Sequence, residues 1–386
     1  FPELGLPRLA APLIAAPVAM QKMAHPGGEP AAARACAARR VGYCASQQAT
    51  TRVETIAEAL ETFSRHRHPS SDTFPPPPMW FQLYVFEDRS MTKSLIERAE
   101  KAGVAAFAVT VDAPVLGRRE RDVRNKFAMR AGMKLENVGG VSSAKVNHEK
   151  ASEQAFVSSN ANNAVDANDT RSRAAHGPTV VRRRATVSAP SRAQKEIARR
   201  VGGRDASLTW SFLEWIKRVT NKPIILKGVT RRDDAAKAVK MGVDALWVSN
   251  HGGRQLDGAP ATLDALPEVI AGAKEAFSTR RNDDVSAKKK RKHVPVIFDG
   301  GVRRGADVLK ALALGADLVA FGRPLVWGLA CGGESGVGRV IEVLLDELKT
   351  AAALCGVQKL DDRNALLADV AQRRGDPPPG QKRSRL

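Results

Sequence analysis

Apolar and polar positions along this chain repeat a recognisable unit. Ala99-Glu100-Lys101-Ala102-Gly103-Val104 runs into the apolar stretch from Ala105 to Asp112. Ala238-Val239-Lys240-Met241-Gly242-Val243 runs into Asp244 to His251, and Ala311-Leu312-Ala313-Leu314-Gly315-Ala316 runs into Asp317 to Arg323. Each copy reads as an amphipathic helix, a glycine suited to a left-handed C-terminal position, and a strand buried on both faces. A weaker copy is Ala38-Arg39-Arg40-Val41-Gly42, leading to Ser46. Apolar runs predict eight strands near Leu13–Ala19, Val41–Ser46, Met79–Val85, Ala105–Asp112, Pro223–Lys227, Asp244–Asn250, Val294–Asp299 and Asp317–Gly322. Helical spacing falls between most of them, as at Leu208, Phe212, Trp215, Ile216 and Val219, and at Val337, Val340, Ile341, Leu344, Leu345 and Leu348. Thr230 and Asp233 have the spacing of a helix-opening cap.

Alternating strands and helices imply a parallel sheet, and eight units favour an α/β fold of the (β/α)8 TIM-barrel type. The competing fold is an open doubly wound sheet, which would carry GxGxxG after its first strand; none is present there. The expected organisation is one barrel domain over 1–386, with a long lid insertion after strand 4 at about 135–205, a basic insertion at about 278–293 and a flexible tail at about 372–386.

The chain has 386 residues, 43% of them hydrophobic, enough for a large core. Its net charge of +20 is concentrated. Residues 171–204 hold ten basic and one acidic residue, 280–293 seven and two, and 372–386 five and one. Those tracts are polar and aromatics are only 5%, so solvated loops are expected rather than a specific nucleic-acid face. No apolar run reaches the roughly 18 to 20 residues a spanning helix needs, and Leu13 to Ala19 lacks the basic flank of a signal peptide. Cys36, Cys44, Cys331 and Cys355 have neither metal-ligand nor CxxC spacing; they read as reduced, mostly buried thiols, with no metal site.

In a barrel, polar residues ending different strands converge at one mouth. This chain offers Ser46, Gln82 with Tyr84, Thr110 with Asp112, Lys227, Ser249 with His251 and Arg254, Asp299 with Arg303, and Gly322 with Arg323. A lone histidine is by default structural. Beside Arg254, and with Asp112 as partner, His251 reads better as a catalytic base. Lys227 ends an apolar strand and needs an anion; it could offset charge on a cofactor, form a Schiff base or pair with a carboxylate. Arg119 is equally a loop charge or a ligand. Tyr84 could pack on the lid, and Gln82 and Thr110 could be satisfied core groups. Asp299-Gly300-Gly301-Val302-Arg303 and Gly322-Arg323 end the last two strands, where barrels often hold a phosphate on backbone N–H groups. A phosphate-bearing cofactor follows from the residues alone.

The same stretches resemble the FMN-dependent 2-hydroxy acid oxidase/dehydrogenase family, and most of all the peroxisomal glycolate oxidase type. They are Pro17-Val18-Ala19-Met20-Gln21-Lys22-Met23-Ala24-His25-Pro26, Phe81-Gln82-Leu83-Tyr84, Thr110-Val111-Asp112-Ala113-Pro114 through Gly117-Arg118-Arg119-Glu120, Leu226-Lys227-Gly228, Ser249-Asn250-His251-Gly252-Gly253-Arg254-Gln255-Leu256-Asp257 and Asp299-Gly300-Gly301-Val302-Arg303-Arg304-Gly305. The resemblance implies His251 as active-site base with Asp112 holding its imidazolium. It implies Arg119 and Arg254 on the substrate carboxylate, Tyr84 on the hydroxyl or carbonyl oxygen, and Lys227 against the flavin. Ala19, Ser46, Gln82, Thr110 and Ser249 would contact the flavin ring or ribityl chain; Asp299, Gly301, Arg303, Gly322 and Arg323 would hold the ribityl and phosphate end. The implied reaction takes an (S)-2-hydroxy acid of glycolate or lactate type to the 2-oxo acid, with oxygen reduced to hydrogen peroxide. The alternatives are a dehydrogenase using a cytochrome or quinone, and a catalytically impaired flavin-binding protein.

Two departures bear on this. The family's N-terminal segment contributes a second substrate tyrosine, and this chain begins after that segment. The family's Ser-Trp-Ala-Thr reads Gln47-Gln48-Ala49-Thr50 here, placing Gln48 where a tryptophan borders the substrate. A homotetramer is implied by the resemblance. Ser384-Arg385-Leu386 resembles the Ser-Lys-Leu address, predicting an import receptor as partner and a peroxisomal or related location, with the cytoplasm as the alternative.

Overall fold

The computed structural model describes residue 4 and residues 9–67, 79–138, 203–283 and 293–360. Eight parallel strands close into a barrel in chain order: β1 (Leu13–Ala15), β2 (Gly42–Ser46), β3 (Met79–Leu83), β4 (Ala106–Thr110), β5 (Ile224–Val229), β6 (Ala245–Val248), β7 (Val296–Phe298) and β8 (Leu318–Phe321). β1 pairs with both β2 and β8, which removes the open edges of the alternative fold. All eight expected strands are present, and seven of them are shorter because residues such as Asp112, Ser249 and Asp299 lie beyond the ladder.

Two apolar layers explain why the strands read as continuous hydrophobic runs. Outward-facing residues such as Phe81, Phe107, Leu226 and Phe321 pack under the helices. Inward-facing residues, among them Ile14, Trp80, Ile225, Trp247 and Ile297, fill the barrel. Trp80 and Trp247 meet edge to face with ring centroids 6.2 Å apart. Alanines at 106, 108, 245 and 320 make room for the two indoles. This plug is the floor of everything above it.

Several local expectations shift. Strand β5 runs on past Lys227 to Val229, with its register to β6 slipping between those two residues. Helix Arg232–Lys240 starts at Arg231 with no side-chain cap, so Thr230 does not open it. The basic insertion expected from about 278 begins later, because helix Thr262–Asp283 continues through that region. Cys36 and Cys44 are buried, but Cys331 and Cys355 are exposed, so only half of the thiols are interior. Most of the lid insertion, the basic tract from 284 to 292 and the tail lie outside the described residues. No described helix is long and apolar enough to cross a membrane.

Candidate active site at the barrel mouth

The strand register builds the site. Ser46 sits opposite Gln82 across β2 and β3, and Thr110 opposite Lys227 across β4 and β5. Their side chains form a polar ledge: Ser46 Oγ donates to Gln82 Oε1 at 3.3 Å, and Gln82 Nε2 donates to Thr110 Oγ1 at 3.1 Å. On the next strands Lys227 Nζ donates to Ser249 Oγ at 2.9 Å and lies 3.5 Å from Asp299 Oδ2. Asp299 also accepts the indole N–H of Trp247 at 2.9 Å, which ties the ledge to the floor.

Burial opposes charge on Lys227, but Asp299 and Asp112 more than compensate and raise its pKa above the ordinary lysine value. It is therefore a buried ammonium, not a neutral amine ready to form a Schiff base.

His251 stands on the loop after β6 with φ 59, a left-handed conformation uncommon for a side-chain-bearing residue. Its backbone N–H donates to Ser249 Oγ at 3.1 Å, which helps hold that turn. Its Nδ1 is 2.8 Å from Asp112 Oδ1. A carboxylate only accepts, so Nδ1 carries the hydrogen and Nε2 keeps a lone pair. Burial lowers the His251 pKa, the Asp112 hydrogen bond raises it, and Lys227 lowers it again; the net result is below the ordinary histidine value. Burial opposes ionisation of Asp112, yet Lys227 and His251 together hold its pKa below the ordinary aspartate value. The pair at neutral pH is thus neutral imidazole beside carboxylate, a base with its counter-charge in place. Tyr84 Oη lies 3.5 Å from Nε2, and burial pushes its pKa up, so it stays a phenol.

Gly228 makes this approach feasible. At φ +107 it occupies the irregularity in β5, and a Cβ there would sit 2.7 Å from Asp112 Cβ. The missing side chain is what lets Asp112 reach His251.

These groups open onto one cavity of about 840 Å³. Ala19, Ser46, Gln82, Tyr84, Thr110, Arg119, Lys227, His251, Arg254, Asp299, Gly301, Arg303, Gly322 and Arg323 all line it. Ser249 and Asp112 stand behind the wall. Ser249 is fully buried and supports Lys227 and the His251 backbone rather than facing the cavity. Arg119 is 3.8 Å from Asp122 through Nη1, and its buried Nε has no partner; nor has Asp112 Oδ2. Burial and repulsion from Arg119 depress the pKa of Arg254, the signature of two cations sharing a small space that an anion would relieve.

The cavity fits FMN by its donor chemistry. At one end Gly301, with φ +80, presents backbone to open space, since a Cβ there meets nothing within 4 Å. Arg303 and Arg323 line the same region. Helix Arg323–Leu354 begins there with no side-chain cap; Pro324 has no N–H and Leu325 N–H donates to the Gly322 carbonyl at 3.1 Å, so what this end offers a phosphate is its positive dipole with the Arg323 side chain. At the other end lie the amide and hydroxyl ledge and the buried Lys227 ammonium, suited to the polar edge of a flavin ring. Arg323 also donates to the carbonyl of Gly252 at 2.7 Å, which fixes it beside the His251 turn.

Sequence reasoning missed two contributors. Glu29 is fully buried and accepts from the Gln21 N–H at 3.1 Å and the Thr50 N–H at 2.8 Å, bracing the Met20–Met23 wall of the cavity. The one hint was an acid among alanines beside the Met20-Gln21 stretch. Arg204 lines the cavity with its guanidinium carbon 3.6 Å from the Tyr84 ring centroid. It falls within the expected insertion at about 135–205, and no local pattern marks it.

A family model described as FMN-dependent dehydrogenase matches residues 5–369. An L-lactate oxidase of Nostoc sp. is 40% identical over 93% of this chain and 79% of its own length. A peroxisomal (S)-2-hydroxyacid oxidase of Arabidopsis thaliana is 37% identical over 93% of this chain and 77% of its own. Among solved structures, a mandelate oxidase superposes with a TM-score of 0.67 at 31% identity, covering 92% of this chain and 78% of that one.

Proposed function

Because the chain belongs to the FMN-dependent dehydrogenase family, we propose that it oxidises an (S)-2-hydroxy acid of glycolate or lactate type to the 2-oxo acid and passes the electrons to oxygen. The observation that carries the reading is the His251–Asp112 pair, 2.8 Å apart, whose imidazole lines the same cavity as Arg119, Arg254, Tyr84 and Lys227. Bound FMN supplies the two-electron acceptor for the substrate and returns the electrons to oxygen, giving hydrogen peroxide.

The protein's side chains do the rest. Arg119 and Arg254 bind the substrate carboxylate, the anion their crowded charges call for. Tyr84 Oη donates a hydrogen bond to the substrate oxygen, and His251 Nε2 accepts a proton from the substrate. Asp112 stabilises the imidazolium so formed and fixes its tautomer. Lys227 would hold its ammonium against the polar edge of the flavin ring, the placement that favours negative charge there. Ser46, Gln82 and Thr110 would orient the ring with Ala19, while Ser249 would act through Lys227. Gly301, Arg303, Gly322 and Arg323 would hold the phosphate end and Asp299 the ribityl side. The catalytic unit within this proposal is one barrel domain.

The test is the flavin spectrum of the purified protein under anaerobic glycolate or lactate. Bleaching, with peroxide released on admitting air, is the expected result. A bound flavin that no 2-hydroxy acid bleaches refutes the reading, and bleaching with electrons passing to a dye but not to oxygen makes it a dehydrogenase. Ser384-Arg385-Leu386 supports a peroxisomal address, which a tagged protein with that terminus free would test by microscopy. A homotetramer is the assembly to look for by light scattering.

A further inference from the structure

We propose that Arg204 sets substrate choice by pairing with a second carboxylate, making the preferred substrates 2-hydroxy dicarboxylic acids. The inference rests on the oxidase reading above and names the acid that site takes.

The position of Arg204 is built, not incidental. Its backbone forms an antiparallel bridge with Phe86, flanked by Glu87 N–H to Gly203 O at 2.8 Å and Asp205 N–H to Val85 O at 2.9 Å. Its guanidinium carbon lies over the Tyr84 ring, 3.6 Å from the centroid, and Nη1 donates to the carbonyl of Ala113 at 3.2 Å. Only 9% of the residue is exposed. A buried guanidinium ordinarily has an acidic partner. Among the described residues none forms an ion pair with Arg204: its neighbour Asp205 pairs with Arg89 at 2.5 Å, and Asp112 pairs with His251 through Oδ1 and attracts Arg204 without touching it. Burial depresses its pKa, and repulsion from Arg119 adds to that against the partial compensation of Tyr84 and Asp112.

The charges around the cavity point the same way. Its acids are Asp122 and Asp299, and these lie against Arg119 and Lys227. Arg303 and Arg323 face the phosphate end. One substrate carboxylate answers Arg119 and Arg254. Arg204 is left over, on the ring face of Tyr84, whose hydroxyl is 3.5 Å from His251 Nε2. A substrate with its hydroxyl carbon at His251 and one carboxylate on Arg119 and Arg254 can extend a second carboxylate toward Arg204.

The experiment compares kcat/KM for lactate, (S)-malate and (S)-2-hydroxyglutarate in the flavin-loaded enzyme and in Arg204→Leu and Arg204→Lys. The expected result is that the wild type oxidises at least one dicarboxylate as efficiently as lactate. Arg204→Leu should cut the dicarboxylate-to-lactate ratio about tenfold or more, mainly through KM, with Arg204→Lys in between. A wild type that oxidises lactate and ignores both dicarboxylates overturns the inference while leaving the oxidase reading intact. So does an unchanged ratio in Arg204→Leu, which would mean that Arg204 only steadies Tyr84. If no acid reduces the flavin, the oxidase reading itself fails. Should the leucine variant not fold, inhibition of wild-type lactate oxidation decides: succinate binding about tenfold tighter than propionate supports the pairing, and equal binding overturns it.

Discussion

Replacing Asp112 with Asn tests the proposed base directly, because it changes one charge and almost no volume. In the wild type the carboxylate accepts from His251 Nδ1 at 2.8 Å and faces a charged Lys227. A hydrogen bond to a charged group is worth about 1.5–3 kcal/mol. That energy is realised most fully when His251 becomes imidazolium, so its loss falls on the transition state. At about 1.4 kcal/mol per tenfold, kcat/KM should drop on the order of 10- to 150-fold. The asparagine amide can also donate to Nδ1, leaving the proton on Nε2 and blocking the base, which pushes the loss toward the upper end. The pH profile supplies a second signature. A base must be unprotonated, so kcat/KM falls as pH drops through the His251 pKa, which lies below the ordinary histidine value. Asp112 raises that pKa, and removing its charge lowers it further. The acid limb should therefore move to lower pH while the plateau falls. Rapid-mixing measurement of anaerobic flavin reduction against pH reads both effects. A loss under about threefold, or an acid limb that moves upward, would refute the assignment of Asp112 as partner of the base.

Lys227→Met leaves Asp299 and Asp112 without their shared ammonium, and unfolding by denaturant should show a loss of about 3–5 kcal/mol together with weaker flavin retention. Because the folded pKa of Lys227 is raised, its stabilisation is fully present below the unfolded lysine pKa and is lost as pH rises through the folded value, so the gap between wild type and variant should close only in strong alkali. Gly228→Ala forces a Cβ to 2.7 Å from Asp112 Cβ at φ +107; we expect a destabilisation of about 1–3 kcal/mol by thermal unfolding and a fall in activity out of proportion to it. Trp80→Ala empties part of the barrel floor and should cost about 3–5 kcal/mol, with flavin affinity weakened only through the Trp247–Asp299 link.

Much of the molecule was written in local sequence. The repeated helix–glycine–strand unit marked four of the strands and apolar runs located all eight, because strands buried on both faces must be apolar throughout, wherever the chain places them. The polar residues ending those runs were legible for the same reason: an acid, a histidine or a lysine at the end of a buried strand has only the mouth to face. That is how His251, Lys227, Asp299 and the Ser46–Gln82–Thr110 ledge could be named in advance.

What the sequence could not settle was which of these groups touch and which only support. Ser249 and Asp112 end strands like their neighbours, but register and the Gly228 irregularity put both behind the cavity wall. The charge state of Lys227 was also open until closure of the barrel brought Asp299, from two strands further on, within 3.5 Å. Arg204 carried no local signal and Glu29 only a faint one, the first at the end of a long insertion and the second on an alanine-rich helix. Their partners, Tyr84 and Thr50, lie far from them in sequence, so no local pattern could pair them. Periodicity fixes what each segment must bury against its neighbours. Contacts between distant segments exist only once the chain is closed, and the electrostatics of this site are made of such contacts.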